Sequence, residues 1–134
     1  MDIKRSASNK HFLPVCEQIE SLIECLTVKM RNSDRHFRFL VCNRILDCAW
    51  ELHAKLARAG RVNPKVRVLS EAIVLHDSLR SQVRVAYNIG AIKVSKNAKS
   101  RENTMKRVSA IGASIGAWYK QEQGKEEEKK NRKK

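Results

Sequence analysis

The chain has 134 residues, with 28 Lys and Arg against 14 Asp and Glu, for a formal charge of +14. Hydrophobic residues make up 42% of it, enough for one modest core, and their helical spacing excludes wholesale disorder. Only 5 Gly and 2 Pro argue against a turn-rich β-sandwich or barrel, and no apolar run is long enough to cross a bilayer.

The first residues, 1–11, are polar and read as a flexible N-terminus without the apolar h-region of a secretory signal. Helical periodicity begins at Phe12. Phe12, Cys16, Ile19, Ile23, Leu26 and Met30 follow steps of 4, 3, 4, 3, 4, the stripe of a helix with one buried face. Pro14 fits its first turn. Asn32-Ser33-Asp34 offers caps for a second helix, with Val41, Ile45, Cys48, Leu52 and Leu56 as its stripe and Phe37, Leu40 and Ala49 beside it. Gly60 stands where a left-handed residue ends a helix, and Asn63-Pro64 reads as a cap followed by the first helical position of a third.

The third stripe is Leu69, Ala72, His76, Leu79, Val83 and Ala86. Residues 93–99 are polar and read as a loop. Ser100 is a cap candidate for a fourth helix striped by Met105, Val108, Ile111, Ile115 and Trp118. Residues 121–134 are charged and almost free of apolar side chains, so they read as a disordered tail. The fold expected over 12–120 is all-α, an antiparallel up-down-up-down four-helix bundle. Phe39, Cys42, Leu46 and Trp50 lie off the main stripe of the second helix. Such surplus apolar surface points to self-association.

Charge is concentrated in the folded part. Residues 29–67 hold 10 basic and 3 acidic groups, and residues 80–107 hold 8 and 1. A field this one-sided repels itself until a polyanion or salt screens it, so nucleic acid is the expected partner. Arg31, Arg35, Arg38, Arg58, Arg61, Lys65 and Arg67 cluster around the first two turns. Lys93, Lys96, Lys99, Arg101, Lys106 and Arg107 surround the third. These are the candidate nucleic-acid-binding residues.

Catalytic signatures are missing. The four histidines show no HExxH or other paired metal spacing, no Walker A or GxSxG occurs, and no Glu-x-x-His suits a di-iron bundle. Cys16, Cys25, Cys42 and Cys48 form no CxxC pair, so they read as reduced, mostly buried thiols in a cytoplasmic protein. The expectation is a noncatalytic protein with no metal and no cofactor. His76 on its apolar stripe reads as a core histidine.

Two further groups of residues are candidates for subunit or partner contact. Asp77, Arg80 and Arg84 follow one edge of the third helix, where ion pairs within or between subunits can form. Gly112 and Gly116, with Trp118 after them, make a small-residue stretch on the fourth helix. Each glycine there costs roughly 1 kcal/mol against Ala, so close approach by a neighbour is the physical reason to keep them.

Three stretches together carry a resemblance. They are Asp34-Arg35-His36-Phe37-Arg38-Phe39 with Asn43-Arg44-Ile45, Leu75-His76-Asp77-Ser78-Leu79-Arg80 with Val83-Arg84-Val85-Ala86, and Ile111-Gly112-Ala113-Ser114-Ile115-Gly116-Ala117-Trp118. In this order they resemble the four-helix-bundle accessory variability determinant family of diversity-generating retroelements, over about residues 12–120. One departure is that Asn32-Ser33-Asp34 stands where the family often has a proline. The resemblance implies a homopentameric barrel. It also implies a noncatalytic subunit that binds the element's reverse transcriptase and its structured template RNA or cDNA, supporting mutagenic retrohoming. The bundle family encoded in ribosomal RNA intervening sequences shares the architecture and is the alternative. A protein-interaction scaffold without a nucleic-acid role is another.

Overall fold

The computed structural model describes residues 10–94 and 99–132. Among them there are four helices and no strand: α1 (Phe12–Met30), α2 (35–59), α3 (Val66–Asn88) and α4 (Lys99–Arg132). No helix among the described residues is long and apolar enough to cross a membrane.

One core joins all four helices. The α1 stripe is buried from Cys16 to Met30, with Val15 and Leu22 added. The α3 stripe from Leu69 to Ala86 is buried as expected from its spacing, and so are Val108, Ile111, Ile115 and Trp118 on α4. The second helix departs from a regular stripe. It opens with one α-helical turn, Arg35–Phe37, passes through a π-helical turn, Arg38–Cys42, and continues as α-helix from Asn43 to Ala59. A π-turn advances the register by an extra residue. Cys42 is buried, Val41 is partly buried against the core, and Phe39 and Leu40, on the π-turn, stay in water.

The turns also differ from local expectation. Gly60 is right-handed (φ −67°). Its reason is packing, because the Phe12 ring occupies the space a Cβ would need. The left-handed glycine is Gly90 (φ +83°), which ends α3. There Ala91 N–H donates to Ala86 O at 2.9 Å and Gly90 N–H to Tyr87 O at 3.3 Å, the paired bonds of a Schellman cap. Helix α3 starts at Val66, after Pro64, so the cis Asn63–Pro64 bond belongs to the preceding turn. Asp34 occupies the N-cap position of α2 without a capping side-chain bond, and Ser100 lies inside α4.

The two ends of the chain correct the expected boundaries. His11 stacks on Trp118 with ring centroids 6.4 Å apart, so this residue of the N-terminal segment is held against the core. Residues 1–9 lie outside the described residues. The charged segment expected to be disordered is instead helical as far as Arg132. Glu, Lys and Gln are good helix formers. Glu122 is buried, which holds the segment's first turn against the body of the chain, and it pairs within the helix with Lys125 Nζ at 3.0 Å. Residues 133–134 lie outside the described part.

Candidate nucleic-acid interface

The first and third turns meet. Ser33 is buried, and its hydroxyl donates to Ala91 O at 2.5 Å. Lys29 Nζ donates to Ser100 Oγ at 2.5 Å, joining the end of α1 to the start of α4. These bonds gather Arg31, Arg35, Arg38, Lys93 and Arg101 at one end of the helices. Arg31, Arg35, Arg38, Lys93 and Lys99 are exposed. Lys96 lies outside the described residues.

Not all of these cations face outward with free donors. Arg38 Nε donates to Ser33 O at 3.1 Å and its Nη2 to Arg31 O at 2.6 Å. Its guanidinium therefore caps the carbonyls left open where α1 ends, and clamps the π-turn against that loop. Arg101 lies over the Tyr87 ring, 5.3 Å from its centroid, and its Nη2 donates to Asn88 Oδ1 at 2.8 Å. Tyr87 is itself buried, and its hydroxyl donates to Thr104 Oγ1 at 2.9 Å. Burial pushes the Tyr87 phenol above its usual range. Further along α4, Lys106 lies 3.6 Å from Glu102, and Arg107 Nη1 donates to Ser21 Oγ at 2.8 Å.

The turn between α2 and α3 carries the second group. Arg58, Arg61 and Arg67 are exposed, and Arg67 stands 3.8 Å from Glu71, a carboxylate held low by the Lys55 ammonium at 2.8 Å.

Lys65 departs from the expectation. It is buried, and its ammonium donates to Ala59 O at 2.7 Å and Val62 O at 2.9 Å. It satisfies carbonyls at the end of α2, so it is a capping group rather than a phosphate ligand. Burial lowers its pKa, and the carboxylate of Glu122 acts in the opposite direction.

The expected subunit-contact residues divide in the same way. Asp77, Arg80 and Arg84 are exposed along α3, and among the described residues no ion pair joins Asp77 to either arginine. Asp77 Oδ1 instead lies 4.0 Å from His76 Nδ1. Gly112 is explained within the chain, since the His76 imidazole fills the space above its Cα. Gly116 has nothing within 4 Å of a Cβ position and borders an open groove with Asp77, Arg80 and Gly112. Trp118 is fully buried in the core, against His11 and Phe12, so it is unavailable to a second subunit.

Sequence reading missed the residues that hold the two turns together. Ser33 looked like a cap, and its role depends on a carbonyl far along the chain. Two cross-helix pairs, His53 with Glu20 at 2.9 Å and Lys55 with Glu71, are likewise invisible in local spacing. Among the described residues no group of three or more His, Cys, Asp and Glu is placed to hold a metal ion.

An apolar groove of about 590 Å³ runs between α2 and α3, lined by Leu40, Cys48, Leu75 and Val85 among others. Val85 in this groove is 48% exposed, and Trp50 and Val74 elsewhere on the surface are 52% and 66% exposed. Compared with known proteins, the chain matches no family model, no curated protein and no solved structure.

Proposed function

We propose that this chain is the noncatalytic, nucleic-acid-binding subunit of a diversity-generating retroelement. In this reading the helices run up-down-up-down and antiparallel, five copies close into a barrel, and the assembly binds a reverse transcriptase with its structured RNA or cDNA. Its working place is the cytoplasm. The observation that supports it is the placement of exposed cations at two turn regions, Arg31, Arg35 and Lys93 at one and Arg58, Arg61 and Arg67 at the other. Phosphate contacts of this kind are individually weak and sum by avidity when copies repeat. The exposed apolar side chains Trp50, Val74 and Val85 give identical copies a reason to associate.

The test is the affinity for a structured RNA across a salt series, read beside the light-scattering mass. The expected results are a steep loss of affinity with salt and a mass five times the 15.4 kDa chain. A single-chain mass together with no RNA binding in dilute buffer rejects the reading.

A further inference from the structure

The cations at the first turn surround an apolar feature that charge alone does not explain. Phe39 is 65% exposed and Leu40 58% exposed, next to each other on the π-helical turn of α2. With Arg35 and His36 they line an open dish of about 470 Å³. Leaving a phenyl ring in water forfeits the gain its burial would bring. The turn that presents it is also held firmly, through the two bonds from Arg38 to the carbonyls of Arg31 and Ser33. The ring is thus displayed by a fixed backbone, not left over at a frayed end.

We propose that this dish is a stacking platform for an unpaired base of single-stranded RNA. The inference rests on the nucleic-acid reading above and adds the strand type. Phe39 and Leu40 offer the base an apolar floor, Arg35 at the edge and the exposed Arg31 nearby meet the flanking phosphates, and Arg38 is a positioning residue. The cationic rim selects this occupant. An apolar protein segment seated here would strip water from Arg35 without supplying a counter-charge, whereas a nucleotide brings a flat apolar face and a phosphate together. A duplex keeps its base faces inside its own stack, so it can use the cations and not the ring. Every base has a π-face, so the platform discriminates strand type and not sequence.

The experiment uses the full chain with a short single-stranded RNA containing 2-aminopurine, and with the same sequence as a blunt duplex. The expected result is tighter binding of the single strand at equal salt, with a change in 2-aminopurine emission. Phe39→Ala weakens single-strand binding about tenfold and leaves duplex affinity and assembly mass unchanged. Phe39→Trp restores the single-strand affinity, and Arg35→Gln weakens both forms and flattens the salt slope.

Equal binding of both forms, unaffected by Phe39→Ala, overturns the platform and leaves the nucleic-acid reading standing. Failure of both forms to bind in dilute buffer overturns that reading itself. A Phe39→Ala chain with reduced assembly mass and unchanged RNA affinity makes this face a contact between copies, and overturns the platform.

Discussion

The imidazole of His76 lies over Gly112, in the space a side chain at that position would occupy, and hydrogen-bonds Val108 O through Nε2 at 2.7 Å. A carbonyl oxygen only accepts, so Nε2 is the donor in that bond. Helices α3 and α4 are thereby joined by a buried polar contact whose fit depends on a missing Cβ. Gly116, four residues on in the same helix, has no such neighbour. The two glycines look alike in the sequence and differ in what surrounds them.

Alanine at each position separates these roles. Gly112→Ala forces the ring from its place and destabilises the chain by about 2 kcal/mol, in the range of overpacking. Gly116→Ala meets open space and gains helix propensity, raising stability by up to about 1 kcal/mol. Urea unfolding of the pair checks this, and equal effects of the same sign would reject it.

Lys65 gives a test of capping against ligand binding. Lys65→Met removes the charged donor to Ala59 O and Val62 O, and costs about 1–3 kcal/mol. RNA affinity of the folded variant stays at the wild-type value. The exposed neighbour Arg61, changed to Gln, has the opposite profile, with unchanged stability and a shallower salt slope of RNA binding. Thermal melts and a binding isotherm at several salt concentrations read both.

The Cys16 thiol is pushed from 9.0 up to about 11, first by burial and then by Glu20 and Glu17. Its contribution to stability is complete below the unfolded pKa. Between the two values the unfolded chain has lost a proton that the folded chain keeps, so stability falls as pH rises, by about 3 kcal/mol at most. The slope of unfolding free energy from about pH 9 to about pH 11 should be smaller in Cys16→Ser, whose hydroxyl does not ionise there. An unchanged slope rejects the assignment.

Ending the chain after Lys120 removes Glu122 and the outer turns of α4. The expected outcome is a loss of helical ellipticity together with a thermal midpoint lower by about 4 °C, corresponding to about 1 kcal/mol in a domain of this size. A truncated chain with an unchanged midpoint would show that the segment contributes nothing to the core.

The helical class, most of the buried stripe positions of α1, α3 and α4, and the surplus of positive charge are legible in the amino-acid sequence. These follow from periodicity and composition, which act over a few residues. His76 as a core histidine was legible for the same reason, because it falls on the Leu69–Ala86 stripe. Which cations have their donors already engaged is set by the packed chain. Lys65 and Arg38 look like Arg61 and Arg35 in the sequence, and only the chain path shows that backbone carbonyls claim the first two. The fold also sets Gly112 beneath His76 and buries Glu122, so that the last helix runs on. Each of these rests on a neighbour distant in sequence, and hydrophobic spacing along one helix carries no information about what the facing helix will supply.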